Sequence, residues 1–288
     1  MRLNVGVLGI GDISDVYIQN LKKYEIVQVV ACAGRNLEKA YKKAEQHHIE
    51  KAYATAEELI EDPEIDMILN LTVPAAHAKL TIKALEAGKH VYTEKPLAVS
   101  IEDGKKILDL AKEKGLYVGS APDTFLGGRL QTCRKLIEEG TIGEIVGASA
   151  FVVYHGPDSF HPNPDFFYKP GGGPLLDIGP YYVTALLSLI GPVQSCSAMA
   201  RRTFDKRIIE SAPRQGDVIK VEVDTHITGT LQFTNGAIAT LLTSFDIWDS
   251  ELPRLEIYGT KGTICINDID PLAGPNLFGG PVLLKTKE

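Results

Sequence analysis

The sequence predicts an α/β protein of two domains. A doubly wound parallel sheet is expected over residues 1–121, then an α+β domain with a large, mostly antiparallel sheet over 122–288. Three observations predict it. Short β-branched runs alternate with amphipathic helical stretches in the first part of the chain, the pattern of right-handed βαβ units. A glycine turn, Gly9-Ile10-Gly11, stands between the first such run and the first helix. Beyond residue 122 the texture changes to longer strand-like runs with short turns, Asn235-Gly236 being a hairpin signal.

In order, LNVGVLG (3–9), IVQVVACA (26–33), AYA (52–54), MILNLTV (67–73), HVYTE (90–94) and LYVGSA (116–121) read as strands. Helices are expected over 14–24, 37–48, 55–62, 76–88 and 101–115, with Gly88 and Gly115 closing the last two. In the second part a helix over 128–139 precedes a long strand, EIVGASAFVVYH (144–155). A Pro/Gly/aromatic loop follows (155–173), too long to be idle in a compact domain, and then a helix ending near Ile190. The rest is strand-like: VQSCSAMARRTF, VEVDTHITGTLQF, AIATLLTSFDI, RLEIYG and GTICIN.

Composition narrows the class. The chain has 288 residues, 44% hydrophobic and 23% charged, enough to bury a core in each of two domains. The net charge of -7 is spread without a basic block, which argues against nucleic acid as a partner. No apolar stretch approaches the ~18 residues of a membrane span, so no membrane partner is expected. The start, MRLNVGVLGIG, leads into a glycine turn rather than a cleavage site. Cys32, Cys133, Cys196 and Cys265 are far apart and form no C-x-x-C pair. Reduced thiols and a cytoplasmic location are the expectation. Scattered histidines without H-E-x-x-H predict no metal site.

The chemistry-bearing turns lie in the first domain. Gly9-Ile10-Gly11-Asp12-Ile13-Ser14 follows a strand, opens a helix and precedes a second strand, the setting of a Rossmann dinucleotide fingerprint. Gly9 allows the tight turn, and Gly11 lets backbone approach a pyrophosphate on the helix N-terminus, with Asp12 and Ile13 beside it. The second strand ends in Ala33-Gly34-Arg35-Asn36, with no Asp or Glu for a ribose 2′-hydroxyl. Gly34 leaves room and Arg35 can pair with a 2′-phosphate, favouring NADP over NAD. Leu71-Thr72-Val73-Pro74 and Glu94-Lys95-Pro96 also fall at carboxyl ends of strands, where ligands bind in such sheets. Pro96 biases Lys95 toward extended geometry and would aim its ammonium inward. Read alone, a lysine beside a glutamate is usually a surface pair.

GIGDIS, the EKP stretch and GGGPLLDIGPYY (171–182) together resemble the glucose–fructose oxidoreductase/inositol dehydrogenase family, written Gfo/Idh/MocA. The resemblance covers nearly the whole chain. It implies an NAD(P)-dependent oxidoreductase that moves a hydride between nicotinamide and a sugar, polyol or related carbonyl. By it Lys95 sits near the nicotinamide and the reacting hydroxyl, and His77, Thr72, Pro74 and Glu94 lie at the cofactor. The family has an aspartate followed four residues later by a histidine. Asp177 matches the aspartate, and Tyr181 stands where the histidine would be. If residues 177–181 are continuous helix, both side chains share a face, although Pro180 would kink such a helix. In the implied reaction Tyr181 takes the hydroxyl proton, Lys95 stabilises the alkoxide and Asp177 orients Lys95.

His155 and His161 flank the aromatic loop and are candidate substrate contacts, His161 with Asn163, Phe167 and Tyr168; Tyr92, Asp123 and Thr124 are further candidates for the cleft. Two rival readings stay open: a non-catalytic NAD(P)-binding sensor, which the tyrosine at 181 permits, and an NAD-dependent glycosidase. The resemblance also implies a homo-oligomer, dimer or tetramer, formed through the open sheet. It implies a further helix after the last strands, so that the chain, ending GGPVLLKTKE, is expected to be either truncated or a natural short form.

Overall fold

The protein is described from a computed structural model covering residues 2–267 and 277–287. The chain divides into two compact units, residues 1–121 and 122–288.

The N-terminal unit runs β1 (Leu3–Leu8), α1 (Asp12–Leu21), β2 (Val27–Ala33), α2 (Leu37–Gln46), β3 (Lys51–Tyr53), α3 (Ala56–Glu61), β4 (Met67–Asn70), α4 (Pro74–Glu86), β5 (His90–Thr93), α5 (Ile101–Lys114) and β6 (Val118–Ser120). Its six strands form one sheet in the order β3-β2-β1-β4-β5-β6, every neighbouring pair parallel. Val5, Val7, Ile68 and Val91 are buried in it, as β-branched residues covered on both faces should be. Local chemistry sets the helix ends. Asn36, Thr55 and Ser100 cap α2, α3 and α5 through their side chains, Thr55 in a full capping box with Glu58. Gly115 closes α5 in the left-handed conformation.

Of the boundaries that differ from the sequence reading, two build the site. The strand expected over 67–73 stops at Asn70, because Val73 caps α4 in extended geometry and Pro74 opens it. A proline costs nothing there, since its missing N–H would have no intrahelical partner. The first helix begins at Asp12 rather than 14, with Gly11 as its cap, and ends at Leu21. Both helices therefore start directly at the carboxyl ends of their strands.

The C-terminal unit runs α6 (Gly128–Glu138), β7 (Ile145–Val153), α7 (Pro174–Asp177), α8 (Gly179–Ile190), β8 (Val193–Arg201), β9 (Lys206–Ile208), β10 (Val218–Lys220), β11 (His226–Phe233), β12 (Ile238–Ser244), β13 (Leu255–Gly259), β14 (Gly262–Ile266) and β15 (Leu283–Thr286). Seven strands form a sheet in the order β15-β14-β13-β7-β12-β11-β8. All its pairs are antiparallel except β7 with β12, so the sheet is mixed at its centre. Leu186 and Leu189 of α8 and Leu130 of α6 pack with Ala239, Leu241, Ile257 and Ile264 of the sheet in one core. The small antiparallel hairpin of β9 and β10 is not foreseen from the sequence. The loop over 155–173 holds two short 3-10 turns, Pro157–Ser159 and Pro164–Tyr168.

Candidate active site

In the N-terminal unit the candidate residues gather at the carboxyl ends of β1, β4 and β5, which are neighbours in the sheet. Gly9 has φ +93°, and a Cβ there would lie 2.5 Å from the Leu71 carbonyl oxygen and 2.9 Å from the Thr72 nitrogen. Only glycine permits that approach of the first turn to the end of β4. Gly11 is the opposite case: a Cβ there would meet nothing within 4 Å. No side chain caps α1, so the first N–H groups of the helix are left without a side-chain cap. Ser14 is buried and turns its hydroxyl back to the Gly11 carbonyl, 2.6 Å away. Asp15 in the same turn gives its carboxylate to Lys43 and His47, at 2.6 Å each. The Lys43 hydrogen bond, and then that of His47, hold its carboxyl below the ordinary range. These features fit a dinucleotide pyrophosphate, which needs an uncapped helix N-terminus and a bare glycine.

At the end of β2 packing accounts for the glycine. The room beside Gly34 is taken by Ile10, whose Cδ1 would lie 2.6 Å from an added Cβ. Any side chain at position 34 would meet that isoleucine. Arg35 is exposed at the strand end.

The 71–74 and 94–96 turns are tied together. Asn70, fully buried at the end of β4, accepts hydrogen bonds through Oδ1 from the Thr72 hydroxyl (2.7 Å) and N–H (3.3 Å). Its carbonyl takes the Glu94 N–H at 2.8 Å. His77, 1% exposed, places Nε2 2.8 Å from the Thr72 carbonyl and Nδ1 2.7 Å from that of Pro96. The ring thus lies between the two turns; a neutral imidazole carries one N–H and donates to only one of the two carbonyls. Pro74, the first residue of α4, belongs to the same junction. The Lys95–Pro96 peptide is cis. Glu94 accepts the Tyr17 hydroxyl on Oε1 (2.7 Å) and the Lys95 N–H on Oε2 (2.9 Å). Tyr92 packs beside Gly119, where a Cβ would lie 2.8 Å from its ring.

In the C-terminal unit Asp177 and Tyr181 do not lie on one continuous helix. Asp177 ends α7, and Ile178 separates it from α8, in which Gly179 and Pro180 form the start and Tyr181 follows. Pro180 therefore sits in the first turn of α8, where it is tolerated, rather than kinking a helix under way as the sequence reading expected. Asp177 and Tyr181 flank this junction, with Ile178 between the two helices in the right-handed helical region. Tyr181 is half-buried against the main core. Glycines build the approach to the junction. A Cβ on Gly172 would lie 2.5 Å from the carbonyl oxygens of both Phe166 and Phe167.

The long loop is held by a buried ionic cluster. The Arg207 guanidinium donates to Asp158 through Nε and Nη2, both at 3.1 Å, and each side chain is 5% exposed. Tyr168 donates its hydroxyl to the same carboxylate, and Arg207 also donates to the His155 carbonyl. Burial and the Asp158 hydrogen bond push the Tyr168 hydroxyl well above its ordinary pKa. His155 stacks on Trp248, ring centroids 3.3 Å apart and planes 14° from parallel. Burial, then the Arg207 charge, hold its imidazole below the ordinary value. His161 lies edge-on to Phe166 and Phe167, and its Nδ1 accepts the Asn163 N–H at 3.0 Å. Asp123 and Thr124 stand at a short 3-10 turn before α6. Tyr154, beside Asp177 in charge, has its hydroxyl pushed far up by burial and then by that carboxylate.

Sequence reasoning missed Tyr17, Tyr154, Arg207 and Trp248. Tyr17 could have been flagged by its place one turn into the phosphate helix. Arg207 sits in a short charged segment that reads as surface. Among the described residues no group of three or more His, Cys, Asp or Glu side chains is placed to hold a metal ion.

The first unit, with its uncapped glycine turn, has the architecture of a dinucleotide-binding oxidoreductase domain. The family model described as "Oxidoreductase family, NAD-binding Rossmann fold" matches residues 3–121, and that of the "GFO/IDH/MocA C-terminal domain" matches 130–265. The chain belongs to the Gfo/Idh/MocA family. It is 30% identical to a trans-1,2-dihydrobenzene-1,2-diol dehydrogenase of Danio rerio, over 92% of this chain and 74% of the relative. It is 25% identical to a myo-inositol 2-dehydrogenase of Thermotoga maritima, over 93% of this chain and 76% of that one. Among solved structures, levoglucosan dehydrogenase in complex with NADH and levoglucosan is similar, with a TM-score of 0.81 at 25% identity, covering 93% of this chain and 73% of that one.

Proposed function

We propose that this chain is an NAD(P)-dependent dehydrogenase acting on a secondary alcohol of a sugar, polyol or cyclic diol, or on the matching carbonyl. The observation that carries the reading is the junction at β4 and β5, where Asn70 and His77 lock the 72–74 and 94–96 turns beside an uncapped α1. Gly9, Gly11 and the N–H groups of Asp12 and Ile13 would hold the pyrophosphate, with Thr72, Pro74 and Glu94 bordering the same strand ends. When bound, the nicotinamide accepts or donates the hydride, which no side chain of the protein can do. Lys95 supplies positive charge for the alkoxide that develops as the hydroxyl is oxidised. Tyr181 takes the hydroxyl proton, and the Asp177 carboxylate favours the charged form of a cation brought to it. His155 and His161 are assigned to the substrate, where aromatic faces and polar ring edges suit a sugar.

NADP is preferred in this reading, because Arg35 is exposed where an acidic residue would otherwise hold a 2′-hydroxyl. A homo-oligomer is proposed through the sheet face turned away from α8, where Met199 (81%) and Ile238 (57%) are exposed. The described cysteines are all free thiols, which suits a cytoplasmic location.

A panel of sugars, polyols and cyclic diols, each with NAD and with NADP, tests the proposal by near-ultraviolet absorbance of reduced coenzyme. Reduction with at least one compound, faster with NADP, is expected. Sugar release without net reduction, or tight coenzyme binding without turnover on the whole panel, would overturn it.

A further inference from the structure

Glu94 is held by two donors on its two carboxylate oxygens, and the donors come from different places. One is the N–H of the next residue, Lys95, at 2.9 Å. The other is the hydroxyl of Tyr17 at 2.7 Å, from α1, 77 positions away in sequence. Tyr17 lies on the helix whose uncapped N-terminus opens onto Gly11. Its half-buried ring packs with the cluster beneath that helix, 6.5 Å from the ring of Tyr92 on β5. A hydrogen bond to an ionised carboxylate is about twice as strong as one between neutral groups. The 94–96 turn is therefore fastened on two sides: to β4 and α4 through Asn70 and His77, and to α1 through Tyr17.

We propose that Tyr17 is a positioning residue for Lys95: by fixing the Glu94 carboxylate against α1, it sets the direction in which the Lys95 backbone leaves β5. The inference rests on the dehydrogenase reading for its catalytic consequence, but not for its structural one. The carboxylate grips the Lys95 N–H itself, so a carboxylate that loses its anchor on α1 is free to rotate and to release that N–H. Tyr17 touches neither coenzyme nor substrate in this scheme. Its effect belongs in turnover rather than in coenzyme affinity, since a small misplacement of a reacting group can cost about a hundredfold in rate.

Tyr17→Phe removes the hydroxyl and keeps the ring, so folding is preserved. The experiment compares the wild-type chain, Tyr17→Phe, Glu94→Ala and the double variant. It measures kcat, coenzyme Kd and the backbone amide resonance of Lys95 in lysine-labelled protein. Tyr17→Phe is expected to lower kcat about ten- to a hundredfold, to leave coenzyme Kd within about threefold, and to shift or broaden the Lys95 amide. In the double variant the loss of the Tyr17 hydroxyl is expected to add nothing to that of Glu94→Ala, as two changes acting through one contact should behave. An unmoved Lys95 amide, an unchanged kcat, or fully additive losses would each overturn the proposal. If the wild-type chain reduces no coenzyme and the Lys95 amide still moves in Tyr17→Phe, the positioning role stands and the dehydrogenase reading is what fails.

Discussion

Asp158 and Arg207 form a two-point ion pair inside the C-terminal unit, with Nε and Nη2 each 3.1 Å from a different carboxylate oxygen. The pair joins the start of the 155–173 loop to the small β9–β10 hairpin. Thr225 and Asp246 extend the cluster, their side chains bonded at 2.6 Å, with an Asp246 oxygen 3.6 Å from Arg207. Removing one partner of a buried pair leaves the other charge uncompensated. Arg207→Met is expected to lower unfolding free energy by about 3–5 kcal/mol, read from the denaturant midpoint. Arg207→Lys should fall between, because an ammonium cannot match both carboxylate oxygens at once. A midpoint unchanged in Arg207→Met would show that the pair does not hold the loop.

His155 gives the pH dependence. Its folded imidazole lies below the ordinary value of 6.5, through burial first and the Arg207 charge second. The unfolded chain therefore binds a proton at this residue more readily than the folded one. Stability from this source is complete above about 6.5 and is lost as pH falls below it. Thermal midpoints should decline below that pH, and His155→Phe should flatten the first part of the decline. A wild-type midpoint that rises on acidification through this range would contradict the assignment.

His77 stands between two carbonyl oxygens, those of Thr72 and Pro96, within hydrogen-bond distance of both. His77→Ala removes the one N–H donor set between them in a nearly closed site and leaves its carbonyl acceptor unpaired, at an expected loss of about 1–3 kcal/mol. Coenzyme affinity should fall with it, because both turns border the strand ends assigned to the dinucleotide. Calorimetric titration with NADP reads the second effect. Affinity equal to that of the wild type would mean that the clamp does not shape the coenzyme site.

Much of this was legible in the sequence, and the failures have physical causes. The β-branched runs and glycine turn predicted the parallel sheet because both faces of such a sheet are buried, and the strands show it. The end of β4 was overrun because Leu71 and Val73 are as apolar as a strand, while the stop comes from Pro74 as a helix start. The parallel pairing of β7 with β12 depends on residues far apart in sequence, to which local pattern is blind. Arg207 was invisible for a similar reason: Asp205-Lys206-Arg207 reads as a solvated turn until tertiary structure buries one of the three. The break between Asp177 and Tyr181 was half-legible, since Pro180 signalled a helix boundary without saying on which side of it Asp177 would fall.

The cysteines offer a test of burial in both units. Cys32, Cys133 and Cys265 are buried, and burial pushes each thiol up to about 11. Cys196 is exposed on the edge strand β8. Thiol titration should therefore give one fast equivalent in the native chain and four after denaturation. Two or more fast equivalents in the native protein would show that at least one of these cores is open.

The most direct measurement concerns Lys95. With a substrate from the coenzyme panel, Lys95→Met is expected to bind NADP within about threefold of the wild type and to lose about a hundred- to a thousandfold in kcat, the cost of removing a charge aimed at a developing oxyanion. Turnover equal to that of the wild type, with the variant folded and the coenzyme bound, would contradict the account.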